Sequence, residues 1–123
     1  MFAGIRLFII TAVFLYVINK ERSFLMKASV AIQVLPETDS TEKLIFIVDR
    51  VIEYIASTGL SYFVGPFETT IEGDSYDELM EIVKNCQKVA LEAGCSKVSA
   101  YVKICYSEDG VLTIDEKTAK HMH

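Results

Sequence analysis

Apolar and polar residues alternate in four segments of the chain, and two longer segments repeat apolar residues at helical spacing. The alternating segments, which we predict to be β-strands, are residues 27–35, 60–64, 67–72 and 97–106. Between Leu44 and Ile55, and again between Leu79 and Ala93, apolar residues recur every three or four positions. This spacing places them on one side of a helix, so we predict two amphipathic helices.

Capping residues and glycines mark the ends of both helices. Asp39 or Ser40 can begin the first helix, and Gly59 follows its last apolar position as a C-terminal stop. The second helix begins at a capping box, Ser75-x-x-Glu78, and Gly94 ends it. Each element boundary therefore has its own local signal.

The resulting order is β-α-β-β-α-β, which predicts an α+β, ferredoxin-like fold. Its four-stranded antiparallel sheet carries both helices on one face and leaves the other face uncovered. Asp109-Gly110 is predicted as a turn, followed by a short C-terminal helix that begins at Thr113 or Asp115. An uncovered sheet face of mixed apolar and charged residues is suited to self-association.

Residues 1–25 stand apart from this domain as a hydrophobic N-terminal extension, with the domain itself spanning 26–123. Leu7–Ile18 is apolar except for Thr11, yet it is shorter than the ~20 residues of a membrane-spanning helix. Lys20-Glu21-Arg22 can be encoded by a purine-rich, ribosome-binding sequence a few codons before Met26. We expect residues 1–25 to be upstream sequence read from a misassigned start, with a weak membrane anchor or a signal peptide as alternatives.

Charge and cysteine content narrow the function classes. The 123-residue chain carries a net charge of −5, and residues 26–123 alone carry −7, because the extension is basic. Such a domain is a poor nucleic-acid binder, since cationic contacts to phosphates supply most of that affinity. Three cysteines without CxxC spacing favour a reducing, cytoplasmic location over a disulfide framework or a zinc ribbon.

No catalytic or cofactor motif is evident in the sequence. It lacks GxGxxG, and its two histidines fall within the last three residues, which leaves no histidine-based triad within the fold. Cys86 lies on the apolar side of the second helix and is expected in the core. We therefore predict a protein that is not an enzyme and that uses no cofactor or metal.

The segment Gly65–Gly73 is the most informative part of the chain. Glu68, Thr70 and Glu72 alternate onto one face, which we expect to be the uncovered one, near Gln33 and Lys103. Together with the aromatic faces of Tyr62 and Tyr101, these carboxylate, hydroxyl, amide and ammonium groups form a candidate ligand site. Alternatively, the charges protect an edge strand from aggregation.

This segment resembles the thiamine-binding protein family of small ferredoxin-like domains. The resemblance lies in Pro66-Phe67-Glu68-Thr69-Thr70-Ile71-Glu72-Gly73, together with Ser57-Thr58-Gly59, Ala93-Gly94 and Lys103-Ile104, and it spans about residues 26–106. The family pattern has glycine at the position of Glu68. The resemblance implies a ligand site that includes Thr69, Glu72 and Lys103, and a ligand that is thiamine or its hydroxymethylpyrimidine moiety.

The resemblance further implies dimers that assemble through their sheets into tetramers, and a role in salvage, sequestration or delivery. We expect no nucleic-acid partner, and a membrane partner only if residues 1–25 belong to the native protein. Two alternatives remain open. One is a regulatory or structural oligomerisation module without a small-molecule ligand; the other is an enzyme acting on a thiamine precursor through a carboxylate of perturbed pKa.

Overall fold

The computed structural model describes residues 26–121. The predictions made for residues 1–25 lie outside the described residues. Within residues 26–121, four strands and three helices follow in the order β1 (Met26–Pro36), α1 (Thr41–Ser57), β2 (Ser61–Val64), β3 (Thr69–Gly73), α2 (Tyr76–Glu92), β4 (Val98–Val111) and α3 (Ile114–Thr118). A single 3₁₀ turn, Ala119–His121, follows α3. The predicted α+β, ferredoxin-like order is confirmed.

The strands form one antiparallel sheet in the order β2-β3-β1-β4. The first strand of the chain is therefore central, and it pairs with β3 on one side and β4 on the other. The alternative that the charges of Glu68 and Glu72 protect an edge strand is wrong, because β3 lies inside the sheet between β2 and β1. The structure thus requires another explanation for these carboxylates.

Helix ends follow the predicted signals. Ser40 and Ser75 are the N-caps of α1 and α2, and their hydroxyls accept hydrogen bonds from the backbone N–H of Lys43 and Glu78. Gly59 follows α1 with φ of 76°, a left-handed conformation in which glycine avoids the steric cost of a side chain. These caps fix where each helix stops and the next strand begins.

The hydrophobic core fills the space between the helices and one sheet face. Its buried helix residues are Ile47, Val51 and Ile55 of α1 and Leu79, Ile82, Cys86 and Ala90 of α2. They pack on Ala28, Val30, Ile32 and Ile71 of the sheet. Ile47 is fully buried although the predicted apolar positions of α1 did not include it, and Val48 and Ile52 are only half-buried at the helix margin.

The last strand is longer than predicted. Asp109-Gly110 is not a chain-reversing turn, because β4 runs on to Val111 and rejoins β1 at Met26 after an irregularity in the register. Gly110, with φ of 105°, lies within this irregular stretch. Ile104 is 49% exposed because β4 is an edge strand, although its alternation had predicted a core position.

Thr113, one of the two predicted starts, is the N-cap of α3, which lies on the sheet face opposite α1 and α2. The Thr113 hydroxyl accepts a hydrogen bond from the backbone N–H of Glu116. Ile114, the first residue of α3, is buried. The sheet face that was predicted to be uncovered, hereafter the open face, is therefore covered by α3 near Glu72.

Candidate functional site

A cavity of about 110 Å³ lies on the core side of the sheet, between α1 and the loop that joins β2 to β3. Hereafter this is the helix-side cavity. Its walls are the apolar side chains of Ile32 and Val34 from β1, Val48 and Ile52 from α1, and Pro66 and Phe67 from the loop. Apolar walls on opposite sides suit a flat, largely apolar ring.

Thr69 brings a polar side chain into this cavity. Thr69 pairs with Ile32 and Val64, so its side chain lies on the core side of the sheet, where it is buried. Its hydroxyl can donate one hydrogen bond and accept two. Gln33 and Glu68 also line the cavity, but their places in the alternation put their side chains on the open face.

The open face carries a second depression, of about 260 Å³ and more exposed to solvent, hereafter the open-face groove. Glu68, Thr70 and Lys103 come together here as predicted, and Glu68 Oε1 lies 2.7 Å from Lys103 Nζ. Cys105 and Lys117 also line the groove. Lys117 belongs to α3, and no sequence pattern indicated that this helix would reach the groove.

Glu72, predicted to contact a ligand, has a hydrogen-bond partner within the chain itself. Its side chain is on the open face, but the residue is buried, and Glu72 Oε2 accepts a hydrogen bond of 2.7 Å from the backbone N–H of Ile114. That N–H is at the first turn of α3, where backbone donors have no partner within the helix. Glu72 thus anchors the C-terminal helix to the sheet.

The remaining predicted site residues are dispersed. Gln33 and Tyr101 pair across β1 and β4 on the open face, and Tyr101 is 69% exposed. Tyr62 pairs with Ile71 and so lies on the core side, at the β2 edge. The structure therefore divides the eight predicted residues between the two faces, with Thr69 and Tyr62 on one and the other six on the opposite face.

The sequence interpretation missed the walls of the helix-side cavity. Val48 and Ile52 were assigned to the core stripe of α1, and Phe67 was read as a strand residue. The one available signal was the width of that stripe, because Val48 and Ile52 lie beside the buried Ile47, Val51 and Ile55. The sheet cannot cover the whole width of this apolar stripe. Residues at the margin of the stripe therefore remain available to line a cavity.

The cysteines are free thiols in two environments. Cys86 and Cys95 are buried, and the Cys95 thiol donates to the carbonyl of Ala90 at 3.2 Å. Burial raises the pKa of the Cys86 thiol to about 12, which agrees with its predicted place in the core. Cys105 is exposed on the open face and pairs with Ser29 across the sheet.

Two groups of shifted pKa lie at the opposite end of β1 from the cavity. A hydrogen bond from Tyr106, reinforced by Lys27 at 3.2 Å, lowers the pKa of Glu108. The same hydrogen bond raises the pKa of Tyr106, whose ring stacks on Tyr76 with centroids 4.5 Å apart. A carboxyl of lowered pKa stays ionised at neutral pH, so Glu108 is unsuited to the general-acid role of the enzyme alternative.

Within residues 26–121, no group of three or more His, Cys, Asp or Glu side chains is arranged to hold a metal ion. None of the helices in this range is long and apolar enough to cross a membrane.

The chain that forms the helix-side cavity and the open-face groove is similar in sequence to a known protein family. Residues 30–122 match the family described as thiamine-binding protein. A UPF0045 protein of Clostridium perfringens, CPE1503, is 47% identical over 93 residues, which cover 76% of this chain and 95% of that relative.

Solved structures show the same fold. A DUF77 domain of unknown function from Bacillus cereus superposes with a TM-score of 0.70 at 34% identity, covering 80% of this chain and 92% of that one. A Thermotoga maritima protein, TM0486, whose name assigns it provisionally to thiamine biosynthesis or salvage, gives 0.69 at 35% identity, covering 78% and 99%. The chain belongs to the thiamine-binding protein family.

Proposed function

We propose that this protein binds thiamine or its hydroxymethylpyrimidine moiety without chemical turnover, for salvage, sequestration or delivery. The observation that carries the proposal is the helix-side cavity, with its apolar walls and the hydroxyl of Thr69, in a chain of this family. The Thermotoga relative, named for thiamine biosynthesis or salvage, supports the same ligand class.

The size of the cavity indicates which part of the ligand it holds. At about 110 Å³ it is well below the ~300–1,000 Å³ of sites for drug-sized molecules. We expect the methylated aminopyrimidine ring inside, hydrogen-bonded to Thr69, and the thiazolium of thiamine outside. Because the thiazolium is a cation, the net charge of −5 favours its approach.

Calorimetry with matched valine variants tests this assignment. Thr69→Val removes the cavity hydroxyl and keeps the shape, whereas Thr70→Val makes the same change on the open face. We expect ligand-stripped wild-type protein to bind hydroxymethylpyrimidine and thiamine with similar affinity. Thr69→Val is expected to weaken both by about 3- to 10-fold, the usual net value of one hydrogen bond, and Thr70→Val to leave them unchanged.

The opposite pattern, with only Thr70→Val impaired, would place the site on the open face instead. Failure of the wild-type protein to bind either compound at millimolar concentration would refute the binding function. In that case the oligomerisation module becomes the better interpretation.

We also propose that the open face mediates self-association into dimers and tetramers. Leu35, Phe63 and Tyr101 are large apolar or aromatic side chains on this face, and each is at least 39% exposed. Large apolar side chains exposed on one sheet face favour association. This observation favours the second candidate function, a structural oligomerisation module, if no ligand binds.

The proposed location is the cytoplasm. All three cysteines are free thiols, two of them buried and one exposed. An exposed thiol on an association surface is compatible with a reducing compartment. Fractionation of cells that produce the protein, with thiol labelling before lysis, tests this location.

A further inference from the structure

The loop between β2 and β3 borders both depressions, one on each face of the sheet. Its residues Pro66 and Phe67 form a wall of the helix-side cavity, and Glu68 reaches the open-face groove. We propose that the ion pair between Glu68 and Lys103 on the open face sets the position of the cavity wall on the other face. Glu68 is then a positioning residue for the ligand, an inference that rests on the proposed function.

The ion pair spans the central strand. Lys103 of β4 pairs with Ala31 of β1, and Glu68 precedes Thr69 on the other side of that strand. The small side chain of Ala31 lies between them and does not obstruct their approach. Lys103 Nζ and Glu68 Oε1 are therefore only 2.7 Å apart. The Glu68 side chain is 33% exposed and Lys103 71%, which makes this a surface ion pair of modest strength.

The backbone of the loop transmits the position of Glu68 to the cavity. The N–H of Gly65 donates to the carbonyl of Glu68 at 2.9 Å and closes the loop around Pro66 and Phe67. A Cβ atom on Gly65 would lie only 3.0 Å from that same carbonyl oxygen, so a side chain at position 65 would require the turn to shift. A shift of Glu68 therefore displaces the residues between the two hydrogen-bonded ends.

Little else holds the wall in place. Phe67 is 79% exposed, and Pro66 is also exposed, so neither is fixed by packing in the core. Within residues 26–121, the loop is secured by its own hydrogen bond, by the β2–β3 pairing from Val64 and Thr69 onward, and by the Glu68–Lys103 pair. Breaking the ion pair removes the restraint that comes from the far side of the sheet.

This arrangement couples the two faces. Anything that competes for Lys103, such as salt or a second copy of the chain on the open face, loosens the cavity wall and weakens ligand binding. Because exposed ion pairs are screened by salt, the coupling is expected to be strongest at low ionic strength.

Amide exchange and calorimetry on the full chain test the proposal together. Lys103→Met breaks the pair, and the double exchange Glu68→Lys with Lys103→Glu restores it with reversed polarity. Lys84→Met is the matched control, because it breaks a surface ion pair with Glu81 of 2.9 Å on α2, away from both depressions. The reporters are the exchange rate of the Gly65 amide and the dissociation constant for hydroxymethylpyrimidine, each at low and high salt.

In Lys103→Met we expect the exchange rate of the Gly65 amide and the dissociation constant for hydroxymethylpyrimidine each to rise about two- to fivefold at low salt. This factor corresponds to the free energy that an exposed ion pair usually contributes. The double exchange is expected to return both to wild-type values, and Lys84→Met to change neither. An unchanged Gly65 amide in Lys103→Met, or no recovery in the double exchange, would overturn the proposal. If the amide responds but wild-type protein binds no ligand, the positioning of the loop stands and the proposed function falls.

Discussion

Glu72 shows how a carboxylate predicted to contact a ligand can also have a structural role. A buried carboxylate in the middle of a sheet needs a hydrogen-bond donor, and here the chain supplies its own from the backbone of Ile114. The sequence pattern correctly placed Glu72 on the open face, yet the donor lies 42 positions away along the chain. Only the folded structure brings the two groups together.

Replacing Glu72 tests this anchor. Glu72→Ala removes the acceptor and leaves a buried N–H without a partner, so we expect a loss of ~1–3 kcal/mol in the free energy of unfolding. Glu72→Gln keeps a carbonyl acceptor of similar shape and is expected to lose less. Hydrogen exchange should accelerate in Ile114–Thr118 of the alanine variant, and unchanged exchange there would contradict the anchoring role.

The thiols differ in reactivity for a physical reason. With its pKa raised to about 12, Cys86 remains a protonated thiol across the neutral range. We expect iodoacetamide at pH 7 to 9 to label Cys105 and to leave Cys86 unlabelled until the protein unfolds. Mass spectrometry of peptides after labelling measures this, and early labelling of Cys86 would contradict its burial.

The same shift has a consequence for stability. The unfolded thiol loses its proton near the ordinary value of 9.0, whereas the folded thiol keeps it up to about pH 12. The contribution of Cys86 to stability is therefore complete below pH 9 and is lost as the pH rises from 9 towards 12. The test is to measure the free energy of unfolding of wild type and of Cys86→Ala between pH 8 and pH 10. We expect the wild-type value to fall more steeply with pH than that of Cys86→Ala, and an equal dependence on pH would contradict the prediction.

At the scale of elements, local signals predicted the helices better than the strands. Ser40, Ser75, Gly59 and Gly94 act at short range, and each begins or ends a helix as expected. The extent of β4 depends on pairing with Met26, at the other end of the domain, so Asp109-Gly110 looked like a turn. The helix-side cavity was equally hidden, because its walls come from three separate elements.

Gly59 offers a test of helix termination that is free of packing effects. Its φ of 76° disfavours other residues, yet a Cβ atom there would meet no atom within 4 Å. Gly59→Ala is therefore expected to lower the free energy of unfolding by ~1 kcal/mol through backbone strain alone. Gly59→Asn tolerates this conformation better and should lose less; equal losses in thermal denaturation would argue against strain as the cause.

For the whole molecule, the two proposed activities lie on opposite faces, so a substitution on the open face tests self-association directly. Tyr101 is 69% exposed on the open face, so Tyr101→Glu places a charge in the proposed association surface. We expect native mass spectrometry to show a dimer or tetramer for wild type and a shift towards monomer for Tyr101→Glu. Lys88→Glu, an exposed change on α2, serves as the control. A wild-type monomer at micromolar concentration would refute self-association.

The strand order also determines how this chain must fold. The first strand is the centre of the sheet, and its partners, β3 and β4, come later in the sequence, with Ala28 meeting Tyr106 almost at the far end. Contacts between residues so distant in sequence form slowly, because a large loop must close before they contribute. On the ribosome, β3 is the first partner of β1 to emerge, and the other edge of β1 stays unpaired until β4 has followed, so that edge is exposed to aggregation during synthesis.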